Sequence, residues 1–187
     1  MEQTALIQRA RLGDQAAWMA LVGEHQQAVF RLAYLILGDP DDAEDVAQET
    51  FIRAYRWLER FDERRPLRPW LLCIAANLSR NQRRAFGRYW AALTRFRRSE
   101  SEGEGMSPQA ANSNPEEPRA LWEAVRRLRQ ADQTVIYLRY FLDLSVEETA
   151  EALMIAPGTV KSRLHRSLRR LEAVIARDFP ALREEYM

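Results

Sequence analysis

Asp41, Asp42, Glu44, Asp45 and Glu49 crowd a short stretch in which no basic residue occurs before Arg53. Close carboxylates can hold a cation, yet neither a histidine nor a phosphate-cradling glycine loop accompanies Asp41, Asp42 and Asp45. The opposite charge soon follows: Arg64, Arg65, Arg68, Arg80, Arg83, Arg84, Arg88, Arg95, Arg97 and Arg98 occur with no Asp or Glu among them. A second acid-free run, residues 152–171, carries Lys161, Arg163, His165, Arg166, Arg169 and Arg170. Guanidinium groups without neighbouring acids suit phosphate oxygens, and acids without neighbouring bases suit a basic partner. The chemistry to expect is recognition. No residue is assigned to catalysis, to a metal or to a cofactor.

The isolated reactive side chains fit that view. His25, between Glu24 and Gln26, is read as a surface imidazole, because no Cys or second His is placed to join it as a ligand. His165 lies in the basic run with no acid on its side of the helix, which suits nucleic acid better than catalysis. Cys73, the lone cysteine, sits in the apolar run 70–76 and reads as a small buried hydrophobe unable to form an intrachain disulfide.

These charges need elements to display them. With 187 residues, 47% of them hydrophobic, the chain can build one ordinary domain or two small ones, and its net charge of +1 averages over the blocks just described. Residues 4–12 read as a short helix, broken at Gly13-Asp14, and a longer one then runs to Leu37 before Gly38. The next helix, residues 41–60, has an apolar stripe of Ala43, Val46, Ala47, Thr50, Phe51, Ala54 and Leu58. Glu44, Asp45, Gln48, Glu49, Ile52, Arg53 and Arg56 take its other side. Ile52 is apolar on that polar side, and the i to i+4 ion pairs of a solubility helix are not expected there, so the face is read as a protein contact.

Pro66 and Pro69 make residues 61–69 a loop. Pro69 opens a helix with Trp70, Leu71, Ile74, Ala75 and Leu78 inward and Asn77, Arg80, Asn81 and Arg84 on a broad polar side. Phe86, Tyr89, Trp90 and Phe96 then interleave aromatic rings with Arg, a mixture suited to single-stranded nucleic acid, where bases stack and phosphates meet guanidinium groups. Residues 98–118, rich in Ser, Glu, Gly, Asn and Pro, read as a flexible acidic linker. The expected fold is therefore all-α: two small helical domains, 1–97 and 119–187, joined by that linker.

In the second domain Leu121, Val125 and Leu128 mark one helix, and Thr134, Val135, Leu138, Phe141 and Leu142 another, ended at Asp143. Ser145 and Glu148 form a capping box for a short helix, residues 154–156 turn, and Pro157 fits the first position of a last helix. Along it Val160, Leu164, Leu168 and Leu171 are expected inward and Thr159, Lys161, Ser162, Arg163, His165, Arg166, Arg169 and Arg170 outward. That is a helix-turn-helix whose second helix enters the major groove, so the polyanion is DNA. A tail, 173–187, follows, with Pro180 interrupting it.

Asp42-Ala43-Glu44-Asp45-Val46-Ala47-Gln48-Glu49-Thr50-Phe51, Arg68-Pro69-Trp70-Leu71 with Ile74, Ala75 and Asn77, and Leu138-Arg139-Tyr140-Phe141 with Gly158-Thr159-Val160-Lys161-Ser162-Arg163-Leu164-His165-Arg166 together resemble the sigma-70 family. The short two-domain form resembles its extracytoplasmic-function (ECF) group. The resemblance implies a bacterial RNA polymerase sigma factor, not an enzyme, that directs core polymerase to specific promoters and assists their melting. It implies that Asp42, Glu44, Asp45, Gln48, Glu49, Ile52, Arg53 and Arg56 dock on the clamp coiled coil of the large subunit, with the polymerase flap as a further contact. It implies that Arg64, Arg65, Arg68, Trp70, Asn77, Arg80, Asn81 and Arg84 capture unpaired bases of the minus-ten element. Thr159, Lys161, Ser162, Arg163, His165, Arg166 and Arg169 would read the minus-thirty-five element as duplex. The linker would thread the polymerase channel that later carries RNA, and the resemblance admits an anti-sigma protein among the partners.

The chain departs from the family pattern at three places: Asn81 stands where Asp is common, Met154 replaces a turn glycine, and Ala156 lacks a capping hydroxyl. The competing reading is a stand-alone helix-turn-helix regulator of duplex operators, with the N-terminal domain as sensor or dimeriser. The open acidic and arginine-aromatic faces weigh against it, since a sensor needs a ligand pocket. No apolar run approaches the ~18 residues that span a bilayer. Met1-Glu2-Gln3-Thr4 lacks the regions of a signal peptide, so a cytoplasmic protein without membrane insertion is expected.

Overall fold

The computed structural model describes residues 2–97, 116–180 and 182, and among these every regular element is a helix. The acidic linker through Pro115 and the side chains of Tyr89, Trp90 and Phe96 lie outside the described residues. α1 (Glu2–Arg11) turns at Gly13, whose φ of 86° only glycine adopts freely, into α2 (Gln15–Leu37). Asp14 caps α2 by accepting the Ala17 N–H at 3.1 Å, and Gly38 closes it in the left-handed region at φ 81°. Asp39 then caps α3 (Pro40–Trp57), accepting from the amides of Asp41 and Asp42 at 3.0 Å each. The acids that follow lie at the positive end of that helix.

A 3₁₀ turn (Leu58–Arg60) and a short loop lead to α4 (Leu67–Arg97), which is 31 residues long. It begins two residues before the expected Pro69, because a proline in the first turn gives up an N–H that has no intrahelical partner anyway. α2, α3 and α4 pack on one another with α1 laid along α2, around Leu21, Val29, Leu32, Leu58, Leu67 and Leu71.

The expected surface position of His25 is corrected: the ring is buried, 5% exposed, with its Nε2 3.4 Å from Gln3 Nε2. It stands four residues after Leu21 and four before Val29, so it belongs to the inward stripe of α2 despite its polar neighbours.

The C-terminal half comprises α5 (Glu116–Arg126), α6 (Gln130–Ile136), a π-helical turn (Tyr137–Phe141), α7 (Val146–Leu153) and α8 (Pro157–Asp178). Helix α5 starts inside the stretch expected as linker. The π turn closes with Leu142 N–H donating to Tyr137 O at 3.0 Å, and Asp143 ends it at φ 53°. The capping box forms: Glu148 N–H donates to Ser145 Oγ at 3.0 Å, and Ser145 N–H to Glu148 Oε2 at 2.7 Å. Met154 is left-handed at φ 54°, and Ala156 caps α8 without a side-chain hydrogen bond. Leu168, expected inward, is 37% exposed. Ser167, next to it, is fully buried instead.

The two halves touch. α7 packs along α4, and α6 and the π turn meet α2, so one cluster of buried apolar residues runs from Ile7 to Val160.

Candidate nucleic-acid interface

The loop before α4 is pinned by a residue that the charge pattern did not single out. Arg11 Nε donates to Leu58 O at 3.0 Å, its guanidinium also donates to Phe61 O, and it pairs with Glu63 at 3.4 Å. Three carbonyl and carboxylate partners on one guanidinium fix where the loop leaves the 3₁₀ turn. Its only signal in the sequence is a basic residue ending α1, too common a feature to find it by.

On that loop Arg64 and Arg65 are exposed, with the Arg64 N–H bound to Asp62 Oδ1 at 3.1 Å. Trp70 is half-buried and its ring lies 4.6 Å from that of Phe61, so it closes the core beneath the loop. Asn77 and Arg80 come together one turn apart: Arg80 donates to Asn77 Oδ1 at 2.5 Å and to Ala76 O at 3.0 Å. Burial lowers the Arg80 pKa, and Arg84 and Arg163 push in the same direction. Arg84 is exposed. Asn81 stands apart from this set. It lines a groove with Asp45, Glu49 and Arg53, on the side of α4 that faces α3.

On α3, Glu44, Asp45, Gln48, Ile52 and Arg56 are exposed, and Asp42, Glu49 and Arg53 are half-buried. Contrary to expectation one i to i+4 ion pair is present, Arg53 Nε to Glu49 Oε1 at 2.6 Å. Asp42 accepts from Gln82 at 2.7 Å, while burial and the nearby acids raise its pKa. The apolar character of this face extends further than Ile52. Phe30, Gln26 and Val22 of α2 join Ala47, Gln48 and Ile52 in an open groove, and Tyr55 is 47% exposed at its edge. Tyr55 and Phe30 were missed because each is a single aromatic at a helical step that a core would equally use.

On α8, Thr159, Lys161, Ser162, His165, Arg166 and Arg169 are exposed on one side and Arg163 is half-buried at its margin. The helix is held by a buried polar lock that apolar periodicity did not reveal. Asp132 of α6, 4% exposed, accepts from Ser167 Oγ at 2.9 Å and from Arg170 at 2.5 Å. The single Ser167 hydroxyl proton is shared with Arg163 O at 2.8 Å. The signal available was position: Ser167 falls seven residues after Val160, on the inward stripe.

Two basic surfaces and one acidic, apolar-edged surface thus stand on separate helices. Among the described residues no group of His, Cys, Asp and Glu is placed to hold a metal ion, and no helix is long and apolar enough to cross a membrane.

Comparison with known proteins places both helical halves in one family. Residues 21–89 match the model of sigma-70 region 2, and residues 119–171 that of sigma-70 region 4. The chain is 35% identical over 169 residues to the ECF RNA polymerase sigma factor SigW of Bacillus subtilis (strain 168), covering 86% of this chain and 89% of SigW. It is 33% identical over 178 residues to the ECF RNA polymerase sigma factor SigL of Mycobacterium tuberculosis (strain ATCC 25618 / H37Rv), covering 91% and 96%. Among solved structures, CnrH in complex with the cytosolic domain of CnrY matches with a TM-score of 0.69 at 25% identity, covering 95% of this chain and 99% of that one.

Proposed function

The chain belongs to the ECF group of the sigma-70 family, and from that premise we propose how its surfaces divide the work of an RNA polymerase sigma factor. Core polymerase and promoter DNA are its partners. The acidic side of α3, at Asp42, Glu44, Asp45, Gln48 and Glu49, docks on a basic element of the polymerase clamp, with Ile52 and the adjoining apolar groove as the dehydrated centre of the contact. Arg53 and Arg56 form its rim.

The loop arginines Arg64, Arg65 and Arg68, with Asn77, Arg80 and Arg84 on α4, take up the unpaired strand of the minus-ten element. Extruding a base costs a few kcal/mol, which stacking and cationic contacts offset. Lys161, Ser162, His165 and Arg166 meet base edges in the major groove, and Arg163 and Arg169 meet phosphates, which position without specifying. Bond formation belongs to the polymerase, so this chain acts in the cytoplasm as a specificity subunit without a catalytic step of its own. A further protein partner is proposed by analogy with CnrH, solved in complex with the cytosolic domain of CnrY, and the family resemblance makes an anti-sigma protein the class expected.

The observation that carries the division is the segregation of charge: exposed acids with an apolar edge on α3, and basic sets on α4 and α8. Its test is reconstitution with core polymerase at a promoter. Asp45→Arg with Glu49→Arg is expected to weaken association with core about tenfold or more while helicity and melting temperature stay unchanged, a loss of ~1.4 kcal/mol or more. Unchanged association would place the docking surface elsewhere.

A further inference from the structure

Duplex DNA carries a dense row of phosphates, and arginines on a helix lying in its groove are drawn to them. In an α-helix residues four and seven positions apart share a side. Arg170 follows Arg166 by one turn and Arg163 by two, so it belongs to the basic side of α8, and it is exposed. Residues 152–171 contain no acid, so nothing in that run neutralises this side.

One acid arrives from another element. Asp132 of α6, its side chain 6% exposed, sets Oδ2 at 2.5 Å from Nη1 of Arg170, while the Arg170 side chain stays 47% exposed. Its other oxygen, Oδ1, accepts from Ser167 at 2.9 Å, and this second bond aims the carboxylate at Arg170. Among the described residues Lys161, Arg163, Arg166 and Arg169 form no ion pair, so Arg170 is the cation of the row that an acid holds. A buried carboxylate without its cation is costly, whereas an exposed guanidinium without its acid is simply solvated, so the pair is held from the Asp132 side.

We propose that Asp132 is a positioning residue that withholds Arg170 from the DNA backbone and so sets how many phosphates α8 engages. A phosphate contact adds affinity for every sequence alike and no discrimination among them. With Arg170 held back, a smaller share of the affinity of α8 for duplex is independent of sequence. The inference rests on the assignment of the exposed α8 row to duplex DNA.

The test is the salt dependence of duplex binding by the full chain, read by fluorescence anisotropy on a labelled mixed-sequence duplex, starting from low ionic strength. D132N keeps the side-chain volume and an oxygen for the Ser167 hydroxyl but offers Arg170 no charge. It is expected to steepen the slope of log K against log salt by about 0.9, the value for one added phosphate on B-form DNA, and to bind two unrelated duplexes more tightly by the same factor. R170A is expected to leave the wild-type slope unchanged, and D132N/R170A to restore it. A purely structural role gives the opposite sign, since a displaced α8 would lose contacts and flatten the slope. Should D132N lose helicity, D132S removes the charge with a smaller side chain and is read in the same way. The proposal is overturned if R170A alone flattens the slope by about 0.9, because Arg170 would then already sit on a phosphate, or if a folded charge-removing variant leaves the slope unchanged. Wild-type chain that binds no duplex, or binds it without salt dependence, would instead remove the assignment of α8 to DNA, and this inference with it.

Discussion

At the scale of single residues, His25 and Met154 show where folding and local chemistry conflict. Burial lowers the His25 pKa from 6.5, Arg68 adds to the depression, and Glu24 opposes it. The imidazole therefore takes a proton more readily in the unfolded chain than in the folded one. Its contribution to stability is complete above pH 6.5 and is lost as the pH falls from there toward the lower folded value. Denaturant midpoints measured between pH 7.5 and 5.5 should fall in wild type, and His25→Gln should flatten that decline. Identical slopes in the two proteins would show that the ring's burial carries no linkage. Met154 is simpler: a left-handed backbone at φ 54° disfavours a side chain, and Met154 is 73% exposed with little packing to offset that. Met154→Gly should raise stability by about 1 kcal/mol, reduced somewhat by the freedom glycine gains when unfolded, and a lower melting temperature would contradict it.

At the scale of elements, α8, which carries the row proposed to read duplex DNA, is tied to α6 by the Asp132–Ser167–Arg170 lock as well as by its apolar stripe. Ser167→Ala should cost about 1 kcal/mol and Asp132→Ala about 2 kcal/mol, because removing the buried acceptor deletes both of its hydrogen bonds, one of them charge-assisted. Since the groups form one network, the double variant should lose at least 0.5 kcal/mol less than the sum. Strict additivity in a denaturation cycle would dissolve the lock. The lock also marks the limit of what the sequence made legible. Helix order, the capping box at Ser145, the uncapped Ala156 and the exposed row from Thr159 to Arg169 follow from spacing and cap chemistry. Ser167 and His25 do not, because a polar residue on an inward stripe needs a partner from a distant element, and apolar periodicity carries no record of it. For the same reason Leu168 was placed inward, one position from the residue that is. Arg11, which shapes the loop before α4, is likewise set by carbonyls some fifty residues away. The contact of α7 with α4 was equally hidden, since an apolar run looks the same whether one domain or two bury it.

At the scale of the molecule, the continuity of the core across α4 and α7 makes the two domains thermodynamic partners. The region 4 match spans only residues 119–171, and a unit of that size buries too small a fraction of its surface to be more than marginally stable alone. Packed against α4 it shares the stability of the larger half. Wild-type protein should therefore unfold in one calorimetric transition, with van't Hoff and calorimetric enthalpies equal. Once the α7 surface is repelled from Arg65 by E147R/E151R, the C-terminal unit loses that support and should melt separately and earlier. Each kcal/mol withdrawn shifts a domain of this size by about 4–8 °C, so two peaks should resolve. Two transitions in wild type would mean that the halves touch without coupling. A single transition in the repelled variant would mean that the region 4 unit stands on its own core.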